Sequence, residues 1–335
     1  MRFLTLIFAY LTTALNFSIS TWIIQNSGCG TKMNSSTFPY QYYSDIVIET
    51  GVIVMENGTT RCDTSDAFLA EYVTSTRPRG IKLIWRDGMG ASNLHNVIFN
   101  SPWATYRANY LNSINATMIA CGLLDDNLSG IIIDEEPTDF ANTGYVTVEE
   151  ANTYSQFVVD LRAAIGPRRT LSVVMGVFGV TLGSYPGMVR LWVNSSVINS
   201  PVIDYLDLMS YHWITAGTIL PWIKDVGLFL SNWDVDPSKI HLGIPYYNNN
   251  GTIITGIHNQ PLNCNLLEEC PNISPSSYTC DNINIVSKQQ NYMIGQLARN
   301  AGLKGLFLWA ANYDTLLYNN TMARWAYAGL TGTPI

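Results

Sequence analysis

The stretch Leu128-Ser-Gly-Ile-Ile-Ile-Asp-Glu-Glu136 decides how this chain is read. An Ile-rich apolar run ends abruptly in three carboxylates. In an extended strand successive side chains alternate faces, so Ile132, Asp134 and Glu136 share one face and Ile131, Ile133 and Glu135 share the other. A strand that is apolar on both faces is typical of a buried parallel sheet. The C-terminal end of such a strand is where barrel enzymes gather their reacting groups. Two carboxyls this close on one face cannot ionise independently, which suits acid–base work.

Strand patterns alternate with helical ones on either side of this segment, the order expected of parallel α/β units. Strands are expected near Trp22–Ile24, within Asp45–Val54, and at Ile81–Trp85, Leu171–Val177, Ile203–Tyr211, Ile240–Tyr247 and Gly305–Ala311. Helical spacing is expected over Ser65–Thr76, Trp103–Leu124, Val148–Ile165, Ile219–Asn232, Ile285–Asn300 and Met322–Ala328. Thr147 and Glu150 form a capping-box pair at the start of Val148–Ile165. Counting the opening segment, this predicts an α/β chain folded as a (β/α)8 TIM barrel. A Cys- and Asn-rich insertion, Asn248–Asp281, follows strand seven. It is placed to wall a cleft, because it leaves the C-terminal end of a strand.

The opening segment resembles the signature of glycoside hydrolase family 18, the retaining chitinases and endo-N-acetylglucosaminidases, which reads Asp-x-x-Asp-x-Asp-x-Glu. The last two acids fall on Asp134 and Glu136, while Ser129 and Ile132 stand where the first two belong. Three later segments are similar to further strands of that family: Met209-Ser-Tyr211, Gly243-Ile-Pro-Tyr-Tyr247 and Gly305-Leu-Phe-Leu-Trp309. The resemblance spans nearly the whole chain after its apolar leader.

What the resemblance implies is substrate-assisted cleavage, in which the sugar's own 2-acetamido oxygen attacks the anomeric carbon. Glu136 then serves as general acid and later general base, Asp134 orients the acetamido N–H, and Tyr211 bonds the acetamido oxygen. Trp309 lies beneath the sugar, with Met209, His212, Tyr247 and Trp85 as further substrate-binding candidates. The resemblance also implies cis peptide bonds at Glu136–Pro137 and Trp309–Ala310. With Ile132 unable to share a proton, Asp134 is left to share one with Glu136 alone. The expected substrate is an N-acetylglucosamine-containing polysaccharide or glycan, either chitin or an N-glycan chitobiose core. A chitin- or glycan-binding lectin on the same barrel is the alternative: Asp134 and Glu136 favour the enzyme, Ser129 and Ile132 the lectin.

Composition narrows the partners. A net charge of −7 with only 18 Lys and Arg offers no basic stripe for nucleic acid. The four His are scattered and the six Cys lack Cys-x-x-Cys pairing, so neither a zinc site nor any other cofactor is expected. Arg2 followed by the apolar run Phe3–Leu15 reads as a secretory signal, with Ser18-Ile-Ser20 as the cleavage candidate. The expected organisation is a signal peptide over 1–20 and one barrel domain over 21–335, a monomer free of the membrane after cleavage. Acceptors for N-glycosylation at Asn34, Asn57, Asn115, Asn127, Asn194, Asn250, Asn272 and Asn319 fit a secreted or vacuolar-lysosomal glycoprotein. The cysteines suit disulfides in such a compartment, their pairing left open apart from a local bridge among Cys264, Cys270 and Cys280.

Overall fold

The structure is a computed structural model that describes residues 17–23, 38–49, 51–63, 67–88, 93–99, 104–135, 146–176, 191–210, 232–246, 274, 276, 279–280, 283–284, 286–311, 314 and 322–335. Its strands are β1 (Ser18–Ile23), β2 (Asp45–Ile48), β3 (Val52–Val54), β4 (Thr60–Cys62), β5 (Lys82–Gly88), β6 (Ser129–Asp134), β7 (Thr170–Gly176), β8 (Tyr205–Met209), β9 (Ile240–Pro245), β10 (Thr279–Cys280), β11 (Ile283–Asn284) and β12 (Gly305–Trp309). Helices α1 (Ala67–Thr76), α2 (Asn93–Phe99), α3 (Ala104–Ala120), α4 (Val148–Ile165), α5 (Ser195–Ile198), α6 (Lys288–Asn300) and α7 (Met322–Thr331) lie between or after them.

Eight strands form a closed barrel in the order β1-β12-β9-β8-β7-β6-β5-β2. Every neighbouring pair is parallel. This is the TIM barrel expected from the strand–helix alternation. Helix α4 shows why the pattern was readable. The Thr147 hydroxyl accepts from the Glu150 N–H at 3.1 Å, and the Glu150 carboxylate accepts from the Thr147 N–H at 2.7 Å. From that cap, Tyr154, Phe157, Val158, Leu161 and Ile165 form one buried stripe against the barrel. Ser287 and Gln290 cap α6 in the same way.

Two expectations about boundaries change. β1 begins at Ser18, and Ser18, Ile19 and Ser20 pair with Gly305, Leu306 and Phe307 of β12. Cleavage before Thr21 would therefore remove half of the strand that closes the barrel, so the domain begins no later than Ser18. The expected second strand, within Asp45–Val54, divides: β2 belongs to the barrel, whereas β3 pairs with β4 as a separate antiparallel hairpin. A disulfide between Cys62 and Cys121, with Cα atoms 5.4 Å apart, ties that hairpin to the end of α3. Most of the expected insertion at 248–281 and most of the helix expected at 219–232 lie outside the described residues. Near the end of the former, β10 and β11 form an antiparallel hairpin.

Among the expected glycosylation acceptors, Asn57, Asn115 and Asn127 are exposed, and Asn194 is partly buried at the start of α5. Asn34, Asn250, Asn272 and Asn319 lie outside the described residues, as do Cys29, Cys264 and Cys270. Among the described residues, no helix is long and apolar enough to cross a membrane.

The closing seam allows no side chain at one position. A Cβ added to Gly305 would lie 1.7 Å from the Ser18 carbonyl oxygen on the paired strand. Backbone cannot move aside there without breaking the β1–β12 ladder. Gly305→Ala is expected to destabilise the barrel by at least about 2 kcal/mol, toward the upper end of overpacking costs. Urea unfolding of the two proteins, compared at equal slope, measures it.

Candidate active site

The side chains of β6 divide as strand geometry requires. Glu135 turns to the helix layer, where its Oε1 lies 2.7 Å from His95 Nδ1 on α2. Asp134 turns to the barrel lumen, as its partners show: Oδ2 accepts from Arg86 Nε at 3.0 Å and from Nη2 at 2.7 Å. Arg86 lies on β5, and its remaining nitrogen, Nη1, meets Glu49 Oε1 at 3.1 Å, just beyond β2. One buried cation thus bridges a carboxylate on β6 and one just after β2. Asp134 Oδ1 is buried and has no hydrogen-bond partner among the described residues.

Arg86 also lies over the ring of Trp22, 5.6 Å from its centroid. Trp22 packs in turn against Trp309, with centroids 4.9 Å apart. The indole N–H of Trp22 donates across the lumen to Asp207 Oδ2 at 3.1 Å. Asp207 Oδ1 is 3.0 Å from His241 Nδ1, and His241 Nε2 is 2.5 Å from the Ser18 hydroxyl. Beside the carboxylate, Nδ1 carries the proton and Nε2 accepts from Ser18. A continuous polar chain therefore runs from Asp134 through Arg86 and Trp22 to the base of the barrel.

Burial pushes the Asp134 carboxyl above its ordinary range; the charge and hydrogen bonds of Arg86 oppose that push, and Asp207 adds to it. Glu49 is likewise raised, first by burial and further by Asp134, with Arg86 opposing. Burial works against the Arg86 charge, but Asp134 and Glu49 outweigh it and hold the guanidinium above its usual value. These three groups are coupled, and the cation is what lets the two acids share a dry site.

Of the residues expected at the site, Asp134, Met209 and Trp309 reach the lumen at the C-terminal ends of their strands. Met209 shares the face of Asp207 on β8. Trp309 retains partial exposure, and the Trp309–Ala310 peptide bond is cis. Glu136, Tyr211, His212 and Tyr247 lie outside the described residues, as does the Glu136–Pro137 bond. Trp85 corrects an expectation. It alternates with Arg86 and shares the outward face of Asp87, whose carboxylate accepts from Tyr110 of α3 at 2.5 Å. Only 1% exposed, Trp85 is a wedge between barrel and helices and cannot stack on a sugar.

Arg86, Glu49, Trp22 and Asp207 were not singled out in the sequence. Their signal was a charged or aromatic residue at an inward register position of an otherwise apolar strand, as in Ile81-Lys-Leu-Ile-Trp-Arg86 and Tyr205-Leu-Asp-Leu-Met209. Among the described residues, no cluster of three His, Cys, Asp or Glu could hold a metal ion. What the site offers is one oriented carboxylate, one fixed cation and an aromatic floor.

No family model matches the sequence, and no curated protein is detectably similar to it. Solved structures are similar in fold. The family 18 chitinase ChiB of Flavobacterium johnsoniae superposes with a TM-score of 0.68 at 14% identity, over 95% of this chain and 94% of that one. A chitinase of Bacteroides thetaiotaomicron gives 0.69 at 14%, over 94% and 96%. Catalytic domain 2 of the Group II chitinase of Ostrinia furnacalis gives 0.70 at 12%, over 95% and 97%. At such identities the likeness establishes the shared fold.

A second buried acid tests the electrostatics apart from any chemistry. Asp45 opens β2 on the lumen face, and its Oδ1 has no hydrogen-bond partner among the described residues. Lys82 Nζ, at 3.8 Å, is too far for one. Burial raises its carboxyl, with Lys82 opposing. Between the ordinary carboxylate range and that raised value, the folded state holds a proton that the unfolded state releases. Asp45 therefore costs stability as pH rises through this window. Asp45→Asn should match the parent in acid and become progressively more stable than it toward neutral pH, read by thermal melting across pH 3–8 (about the titration range of a perturbed carboxyl).

Proposed function

We propose that this protein is a secreted retaining glycosidase that cleaves β-1,4 linkages of N-acetylglucosamine, in chitin or in the chitobiose core of N-glycans, by substrate assistance. The observation that carries this reading is the inward Asp134 with its free buried Oδ1, set at a strand's C-terminal end in the same lumen as the partly exposed Trp309. The barrel shared with several chitinases supports it. In the sequence Glu136 follows Asp134 by two residues, the spacing that puts both carboxyls on one face of an extended segment.

In this mechanism Glu136 donates its proton to the glycosidic oxygen as the bond to the anomeric carbon breaks. The substrate's acetamido oxygen attacks that carbon and closes an oxazolinium ring. Asp134 Oδ1 accepts the acetamido N–H and offsets the positive charge that develops on the ring, a charge that exists only beyond the ground state. Tyr211 donates to the acetamido oxygen and aligns it for attack. Glu136, now a carboxylate, takes a proton from water as the water opens the ring, and the product keeps the β configuration. Trp309 carries the apolar face of the sugar, flanked by Met209, His212 and Tyr247. The protein acts as a monomer outside the cytosol or in a vacuolar-lysosomal lumen. It is glycosylated at exposed acceptors such as Asn57, and its leader ends ahead of Ser18.

Chitin oligomers and a high-mannose glycoprotein, offered side by side, test the reading. One of them should be cleaved, with the β anomer formed first. Glu136→Gln should lower kcat by about 10²–10⁴-fold while binding persists, as loss of a general acid does. Asp134→Asn should cost about 10²–10³-fold, as loss of an electrostatic partner does. Binding of every oligosaccharide with cleavage of none would replace the enzyme by a lectin, the outcome that Ile132, apolar where the motif has an acid, would then explain. Efficient cleavage of cellulose oligomers, which lack the acetamido group, would exclude substrate assistance.

A further inference from the structure

On the inward face of β6 the position that precedes Asp134 holds Ile132 and no carboxyl. The neighbouring strand fills that role by other chemistry. Arg86 is in register with Ile132, one step below Asp134 on the same side of the lumen. Its guanidinium aims two N–H groups at one oxygen, Asp134 Oδ2. A guanidinium only donates, so Oδ2 must offer lone pairs. Oδ1 is then the oxygen left over, buried and without a partner among the described residues.

We propose that Arg86 is the positioning residue of this site, a cationic clamp that holds Asp134 as a carboxylate with Oδ1 presented to the substrate amide. The proposal rests on the glycosidase reading given above for what Oδ1 receives, but the clamp itself is a property of the free protein. Glu49, on the third nitrogen, holds the guanidinium from the side of β2. Trp22 supports its flat face. Because Trp22 also packs on Trp309, the clamp fixes the carboxylate and the aromatic floor against each other. Asp134 therefore stays in one orientation, where a shared-proton carboxyl pair would let it turn between two partners.

Among the described residues, the charged and titratable groups that act on Asp134 are Arg86 on β5, Glu49 after β2, Asp207 on β8 and Tyr154 on α4. Arg86 is the cation among them, and the others raise or leave the carboxyl where burial puts it. Loss of Arg86 should thus move Asp134 to a higher titration point. Since Asp134 acts as the carboxylate, the acidic limb of the rate profile should move up with it.

Arg86→Lys keeps the charge and loses the fork. Arg86→Met combined with Glu49→Gln removes the cation together with one of its two acids, so that the fold is not left with both buried charges unpaired. The Asp134 carboxyl is followed by carbon NMR titration, identified as the signal missing from Asp134→Asn. kcat and KM on a chitin oligomer are measured against pH in the same proteins. The double variant should titrate Asp134 at higher pH than the parent and shift the acidic limb of kcat by the same interval. It should lower kcat at its optimum by about a hundredfold, the scale of a misplaced reacting group, with KM changing much less. Arg86→Lys should fall between the two. An Asp134 signal that titrates identically in parent and double variant overturns the clamp, as does an unshifted acidic limb. If the parent itself cleaves nothing, the glycosidase reading fails and the NMR titration alone decides the clamp.

Discussion

One buried cation organises the mouth of this barrel. Arg86 gives two of its nitrogens to Asp134, the third to Glu49, and its flat face to Trp22. Removing a member of a buried ion network leaves an uncompensated charge and typically costs about 3–5 kcal/mol, while the intact network contributes less than that. The arrangement is therefore better understood as a device for placing groups than as a source of stability. It joins strands β2, β5 and β6 to the Trp22–Trp309 pair on β1 and β12. These five strands are consecutive around the barrel, so the network ties together one continuous side of its mouth.

Beneath this layer the barrel closes on β1, whose residues serve both structure and site. Ser18 pairs with Gly305 at the seam and meets His241 with its hydroxyl. Four residues later Trp22 reaches across to Asp207. Asp207 is fully buried, yet Trp22 and His241 satisfy both of its oxygens, which is what a buried acid requires. The polar chain inside the lumen and the hydrogen-bonded wall around it thus share the same strand.

The parts legible in the sequence were those with a strong local signal. The run Gly130–Ile133 could only be a strand buried on both sides, and the Thr147–Glu150 box fixed a helix start to the residue. Asp134 could be placed because its carboxylate ends an apolar run. Arg86 has the same kind of signal but no motif around it, and its partner Glu49 lies just after β2, 37 residues earlier. Only the pairing of β2 with β5 brings them together. Trp85 was assigned a role that belongs to the other face of β5, because an aromatic at a strand end is equally at home against a helix. The start of β1 was hidden for a physical reason as well. The apolar stretch Phe3–Leu15 and a buried barrel strand are alike in composition, so composition alone does not mark where β1 begins.

One oxygen atom is central: Asp134 Oδ1, turned to the lumen and without a hydrogen-bond partner among the described residues. A crystal structure of Glu136→Gln bound to a chitin oligomer tests this most directly. The acetamido N–H of the sugar at the cleavage point should lie within hydrogen-bond distance of Oδ1, with Arg86 still on Oδ2 and the sugar ring over Trp309. An acetamido group directed away from Asp134, or a carboxylate rotated off Arg86 to meet it, would contradict the account.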